Sequence, residues 1–346
     1  MHRTQQFERN DFRSASGTRL GHVTVLLMAC TSGRILGQTS APISNPCAEL
    51  NQTAMTQVAS GKLKEVELTV NALLTSGADQ SQQACAGLAL NNMAVFVSIS
   101  GQSAEGARLA EQSVQALEKA YSSNDPALLR PLQVLASTSF DRGMLGKARE
   151  AFKRMQSIRT QRPEDRALVH GMAAVLSEAE GRLPEAEAEY LATLQAWQDA
   201  GKGESADTSA VLAGLGSLYI KENRLSEAGQ VFDRALAMLN TAKDGVPLDL
   251  TKLLQLRGVL QARQGDWHGA EQYLHDALAM ADREPRVDPL ALRSILNNYA
   301  AVLRRNHHGR EARSIEARAA AIPIGGGPAT IVDITELLPK AKPVKK

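Results

Sequence analysis

The sequence predicts an all-α solenoid built from about seven antiparallel helical hairpins. A small residue marks the same point of each hairpin, and consecutive copies lie 41, 41, 38, 42, 42 and 42 residues apart, at Val66, Ala107, Ala148, Ala186, Ala228, Ala270 and Ala312. Apolar residues on either side recur three and four positions apart, which indicates amphipathic helices. One hairpin cannot bury its own apolar face, so neighbouring hairpins are expected to stack.

Each hairpin is expected to contain a first helix, a polar turn and a second helix. The turns are polar and often contain glycine, as in SGKLKE, DRGMLGK, AEGRLPE, KENRLSE and RQGDWHG. Gly216 and Ala228 are predicted to lie where the two helices of one hairpin cross, because a larger side chain there would hold the backbones apart. Bulky residues four positions after each alanine are expected to fill the layer between helices, namely Phe152, Tyr190, Phe232 and Leu274.

The best-preserved copy resembles the tetratricopeptide repeat. Leu215-Gly216-x-x-Tyr219, followed by Ala228-x-x-x-Phe232, matches the core of the family motif W-x2-L-G-x2-Y…A-x3-F…P. Leucine stands where the motif prefers tryptophan, and asparagine where it prefers proline.

The chain resembles the kinesin light chain type of this repeat in two respects. The period is 42 residues, and a pair of adjacent asparagines occurs at Asn91-Asn92 and again at Asn297-Asn298. The resemblance covers roughly residues 47 to 320. It implies a right-handed solenoid that acts as a protein-binding scaffold.

Three regions are expected along the chain: a leader at residues 1–41, the solenoid at 42–322, and a glycine hinge with an apolar and basic tail at 323–346. The leader places arginines before a short apolar run from Val23 to Cys30, followed by small and polar residues, which is the outline of a secretory signal. Leu27-Met28-Ala29-Cys30 resembles a bacterial lipobox, so Cys30 is a candidate lipidation site. Export to the periplasm or cell surface is favoured, and a cytoplasmic protein with a disordered leader is the alternative.

Composition narrows the possible partners. The formal net charge of +2 gives no case for binding nucleic acid or for a general attraction to membranes. No apolar run approaches the ~18 residues that a membrane-spanning helix needs. Aromatic residues make up 4% of the chain, which fits alanine-rich helix packing.

Two cysteines are candidates for a disulfide. Cys47 and Cys85 lie 38 residues apart, close to one repeat, on the first helices of neighbouring hairpins. In an oxidising compartment they could be joined, and in the cytoplasm they are expected to be ordinary buried thiols.

Catalytic and metal motifs are not apparent. The chain has no G-x-S-x-G, CxxC or HExxH motif, and the triple glycine at 325–327 is not followed by GK[ST]. His268, Glu271 and His275 could share one helix face, but a solvated face is the preferred interpretation. We therefore expect no enzyme activity, no metal and no cofactor.

The remaining candidate site is the concave groove lined by the first helices. Its amide row is predicted to contain Asn91, Gln133, Gln255 and Asn297, and its charged row Glu178, Lys221, Arg263 and Arg304 with Arg305 beside it. Amides can bond to the backbone of an extended peptide, and the basic residues favour an acidic protein or peptide partner. An assembly factor or lipoprotein subunit of a cell-envelope complex, and a peptide- or ligand-sensing regulator in the cytoplasm, are the alternatives.

Overall fold

The structure, a computed structural model, describes residues 45–75, 79–241, 247–284 and 287–322. The predicted leader with Cys30 and the predicted tail at 323–346 lie outside the described residues. Within the described ranges the chain forms fourteen α-helices and no strand: α1 (Asn45–Ala59), α2 (Leu63–Thr75), α3 (Gln80–Ile99), α4 (Ser103–Ala120), α5 (Leu129–Asp141), α6 (Leu145–Ser157), α7 (Pro163–Ala179), α8 (Leu183–Asp199), α9 (Ala206–Lys221), α10 (Leu225–Thr241), α11 (Pro247–Gln264), α12 (Trp267–Ala281), α13 (Pro289–Arg305) and α14 (Gly309–Ala320).

Consecutive helices pair into seven hairpins, numbered here 1 to 7 from α1–α2 to α13–α14. The second helices of hairpins 4 to 7 begin at Leu183, Leu225, Trp267 and Gly309, each 42 residues after the last. All seven marker residues, from Val66 to Ala312, are at most 3% exposed. The prediction of an all-α solenoid is confirmed.

The small residues at the crossing points allow the helices of a hairpin to approach closely. A Cβ atom added to Gly216 would lie 2.2 Å from Cε1 of Phe232, and one added to Gly258 would lie 2.6 Å from Cγ of Leu274. Both distances are far below van der Waals contact. The bulky residue of the second helix therefore fills the space that a side chain on the first helix would need.

The turn inside each hairpin contains one residue in the left-handed backbone region. Five of these residues are glycines, whereas Asn223 (φ 62°) and His307 (φ 65°) take the same place in hairpins 5 and 7. The seven positions are Gly61, Gly101, Gly143, Gly181, Asn223, Gly265 and His307. Glycine adopts this conformation without steric cost, and asparagine and histidine tolerate it better than most residues.

The two helices of each hairpin take different sides of the solenoid. Most of the odd-numbered first helices pack against the first helices of neighbouring hairpins. The even-numbered second helices and the turns before them are joined to one another by ion pairs between residues far apart in sequence, such as Glu67–Arg108 and Glu187–Arg224. Because the first helices lie closer together, they form the concave side, called the inner face below. None of the described helices has both the length and the apolar character to cross a bilayer.

Candidate functional site

Five charged residues from four consecutive hairpins meet on the inner face and are called the central cluster. They are Asp141 at the end of α5, Glu178 at the end of α7, Lys221 at the end of α9, and Asp249 and Lys252 near the start of α11. The electrostatic influence on Lys252 includes Asp141, three hairpins earlier in the chain. The curvature of the solenoid therefore brings together residues that are far apart along the array.

Glu178 is the structural centre of this cluster. It is 4% exposed, forms an ion pair with Lys221 of the next hairpin, and accepts a 2.7 Å hydrogen bond from the Tyr190 hydroxyl. Burial, followed by the negative charge of Glu178, raises the pKa of Tyr190 well above its usual value, so this hydroxyl stays protonated and donates. Both carboxylate oxygens of Glu178 are thus occupied within the protein.

The ammonium of Lys252 makes no hydrogen bond within the cluster. Its residue surface is partly exposed, but Nζ is shielded from solvent and has no hydrogen-bond partner among the described residues. Burial lowers the pKa of Lys252 to about 8, although the charge of Asp249 opposes the shift. A shielded ammonium without a partner is unfavourable for folding, and it is available to an acceptor from outside the chain.

Further unmet polar atoms lie on the helices that surround the cluster. Gln133 is 1% exposed, and neither amide atom has a partner in the part of the chain that the structure describes. The same holds for the hydroxyl of Ser217, four residues before Lys221 on one side of α9.

Asp207, in the first turn of α9, also has a buried oxygen without a partner in the described ranges. Burial raises the pKa of Asp207 to about 6, while the positive charges of Arg130 and Lys202 act in the opposite direction. Arg130 lies on α5, two hairpins earlier, so this contact also depends on the curvature of the inner face.

The predicted amide row is divided between paired and unmet side chains. Gln255 donates a 2.6 Å hydrogen bond to Oγ of Ser294 on α13, the next first helix. Asn91 is 5% exposed and its Oδ1 has no partner among the described residues, whereas Asn297 is half-buried. Only Gln133 of this row has both amide atoms unmet.

The predicted basic residues are engaged with other side chains. Lys221 pairs with Glu178, and Arg263 donates a 3.0 Å hydrogen bond to Asn223. Arg304 donates two 2.6 Å hydrogen bonds to Glu316 on α14, and the guanidinium of Arg305 lies 5.2 Å from the ring centre of Trp267. The structure thus brings Lys221 into the central cluster, while Arg304 and Arg305 face second helices.

Sequence reasoning missed Lys252, Asp249 and Asp207. Lys252 lies three residues before Gln255, so it is one turn earlier on the same first helix. A third row, one turn before the amide row, would have found it. Its importance follows from curvature, which no single repeat reveals.

The predicted trio on α12 is separated by its own contacts. Glu271 lies 3.1 Å from Nδ1 of His308 and is also bonded by Asn306. His275 lies 3.3 Å from Asp276, and His268 contacts Gln272. The described residues contain no group of three side chains placed to hold a metal ion.

Cys47 of α1 and Cys85 of α3 are joined by a disulfide in the structure. Their Cα atoms lie 5.0 Å apart, within the usual span of such a bond. The bond links the first helices of hairpins 1 and 2, the pair that the sequence singled out.

Comparisons with known proteins agree with this architecture. Residues 165–241, which span hairpins 4 and 5 almost completely, match the tetratricopeptide repeat family model. Hairpins 4 and 5 are thus similar to tetratricopeptide repeats. No curated protein sequence matches it.

Three solved structures show the same fold. BtubC (BKLC) from P. vanneervenii is 24% identical, with 65% of this chain and 90% of that chain covered, and a TM-score of 0.50. The apo form of RapI is 11% identical over 80% and 96%, with a TM-score of 0.54. A Rap protein complexed with competence and sporulation factor is 13% identical over 79% and 73%, with a TM-score of 0.53. The tetratricopeptide fold supports a protein-interaction scaffold.

Proposed function

We propose that this protein is a non-catalytic scaffold that binds an extended peptide segment of a partner on its inner face, across the central cluster. The observation that carries the proposal is the set of unmet polar groups at Gln133, Ser217 and Lys252. They lie on α5, α9 and α11, so one ligand crossing hairpins 3 to 6 would pass all three.

The chemistry of these groups suits a peptide backbone. The amide of Gln133 can donate and accept, the hydroxyl of Ser217 can do both, and the ammonium of Lys252 donates. A peptide unit offers one N–H and one C=O and brings no net charge into a cluster that already holds three carboxylates. Each unmet buried group costs about 1–3 kcal/mol, and a ligand that bonds to it recovers part of that cost.

An acidic partner is proposed from the residues beyond the cluster. Arg304 and Arg305 are exposed, and Arg263 is half-buried, on the first helices of hairpins 6 and 7. Their present contacts are with neighbouring side chains, which a ligand carboxylate could replace. The double variant Arg263→Glu with Arg304→Glu is expected to abolish capture of an acidic segment, and undiminished capture would refute this part of the proposal.

The proposed location is the bacterial cell envelope. Support comes from the signal-like order of the leader and from the Cys47–Cys85 pairing, since disulfides persist in oxidising compartments. A peptide-sensing regulator in the cytoplasm is the second candidate. It is favoured by the likeness of fold to a Rap protein complexed with competence and sporulation factor.

The binding face can be tested by site-specific photocrosslinking. A benzoylphenylalanine at Asn297, half-buried on the inner side of α13, is compared with one at Leu191, which is 49% exposed on α8. We expect partner segments from an extract of the producing cells to crosslink at position 297 and not at 191. Adding Gln133→Leu or Lys252→Met should remove those crosslinks. The same segments at both positions, or no effect of either substitution, would contradict the proposal.

A further inference from the structure

Hairpins 2 and 7 touch each other, although they lie five positions apart along the array. Gly101, in the turn between α3 and α4, lies against Asp288 and Pro289 at the start of α13. A Cβ atom added to Gly101 would lie 2.7 Å from Oδ1 of Asp288 and 3.1 Å from Cδ of Pro289. The contact is called the clasp below.

Both sides of the clasp are held in place by local structure. Gly101 adopts φ 79°, which fixes the path of its turn. Asp288 caps α13, since its carboxylate accepts hydrogen bonds of 3.3 Å from the backbone N–H groups of Leu290 and Ala291. Burial raises the pKa of Asp288, consistent with a carboxyl group covered by a neighbouring surface. The clasp therefore joins two rigid elements, not two loose chain ends.

The inner face behind the clasp is shielded from solvent. Gln133 is 1% and Ser217 is 2% exposed, and Nζ of Lys252 is inaccessible. Electrostatic contacts cross it from α5 to α9 and from α5 to α11, two and three hairpins away. An open, shallow groove would leave such groups exposed, so the solenoid is tightly coiled around them.

We infer that the clasp between Gly101 and the start of α13 closes the inner face in this structure, and that a ligand reaches the central cluster only after hairpins 2 and 7 separate. The inference rests on the proposed function for the identity of the ligand, but the opening itself does not depend on it. A site reached in this way admits a thin extended segment and excludes a folded domain. Binding would then favour the open arrangement.

The opening can be measured without any ligand. In the full chain, Ser217→Cys places a thiol on the shielded inner face, and its rate of alkylation by N-ethylmaleimide is followed by mass spectrometry of the peptide containing residue 217. That readout separates the introduced thiol from the native cysteines. Leu191→Cys on the outer side gives the rate for an exposed thiol.

The perturbing variant is Gly101→Asn, with Gly181→Asn as the matched control. Both glycines have a positive φ in an equivalent turn, and asparagine tolerates that conformation, but a Cβ on Gly181 would meet nothing within 4 Å. Overpacking at Gly101 should shift the population toward the open form and speed alkylation of the thiol at position 217 by about tenfold or more. Gly181→Asn should leave the rate unchanged.

Two results would overturn the inference. One is an equal alkylation rate in Gly101→Asn and Gly181→Asn, and the other is a thiol at position 217 that already reacts as fast in the parent as the thiol at position 191. Faster alkylation in Gly101→Asn together with failed photocrosslinking would support the clasp and reject the proposed function. Inner-face crosslinks with no change in alkylation would do the opposite.

Discussion

Replacing Lys252 by methionine removes the shielded ammonium and keeps most of the apolar stem. In the folded protein burial lowers the pKa of Lys252 from 10.5 to about 8, so the charged form is disfavoured by folding. A shift of this size corresponds to about 3 kcal/mol at neutral pH, since one pKa unit is worth about 1.4 kcal/mol. We expect Lys252→Met to raise the free energy of unfolding at pH 7 by about 2–3 kcal/mol.

The stability difference between the wild type and Lys252→Met should depend on pH. Below pH 8 the lysine is protonated in both states, and the cost of burying the charge is fully present. Between pH 8 and 10.5 the folded protein releases its proton first, so the unfolded state binds more protons and the stability of the wild type rises with pH. The Lys252→Met variant lacks this rise, so the two proteins should converge at high pH.

Urea unfolding followed by circular dichroism at pH 7 and at about pH 9.5, within the window between the two pKa values, measures both effects. Lys62→Met, at an exposed residue in the turn of hairpin 1, is the control and should change little. An unchanged or lower midpoint for Lys252→Met at pH 7, with the wild-type slope against pH, would refute the reasoning. The same variant should lose the inner-face crosslinks, so greater stability would accompany weaker binding.

Three further predictions concern other positions. Burial raises the pKa of Asp207 from 3.8 to about 6, so its ionised form destabilises the fold above pH 6, and this cost disappears below pH 3.8. Asp207→Asn should therefore raise the free energy of unfolding by about 2 kcal/mol at pH 7 and leave it unchanged near pH 3.5. Thermal unfolding at both pH values measures the difference. Gly216→Ala should lower stability by about 2 kcal/mol because its Cβ would meet Phe232, whereas Gly229→Ala, whose nearest neighbour would be 3.8 Å away, should raise it by about 1 kcal/mol in the same urea titration. Peptides carrying Cys47 and Cys85 should resist alkylation until a reductant is added, and full alkylation without reductant would reject the disulfide. Closing a loop of 38 residues should stabilise the first hairpins by about 4 kcal/mol.

The repeat unit was predictable because the contacts that define it join residues close together in the sequence. The marker residues, the small residues at the crossings and the bulky residues four positions after the marker alanines of hairpins 3 to 6 all express one packing rule. Gly216 against Phe232 follows it. The turn residues belong to the same register, although Asn223 and His307 show that the required conformation, and not glycine itself, is what repeats.

The site was only partly predictable, since rows counted along single helices omit curvature and pairing. Gln133 and Lys221 were found in this way because they lie on first helices at repeating positions. The ion pair that occupies Arg304 needs Glu316 on the second helix, and the surroundings of Lys252 include Asp141 from three hairpins away. The first depends on packing within hairpin 7. The second depends on how far the solenoid winds, which is the sum of small rotations between hairpins and has no signature at any one residue.

Unmet polar atoms also occur on second helices, at Gln112 and Trp197, but those on α5, α9 and α11 lie on the helices around the central cluster, which favours a functional cause for this group. A solenoid selected only for folding would gain stability from apolar residues in place of Gln133, Ser217 and Lys252, because each buries polar atoms without partners in the described ranges. One such group is easily tolerated. Three of them on α5, α9 and α11, the first helices that surround the central cluster, point to a shared benefit that folding does not supply. A bound peptide would supply that benefit for all three at once, whereas a partner on the outer helices would leave each cost unexplained.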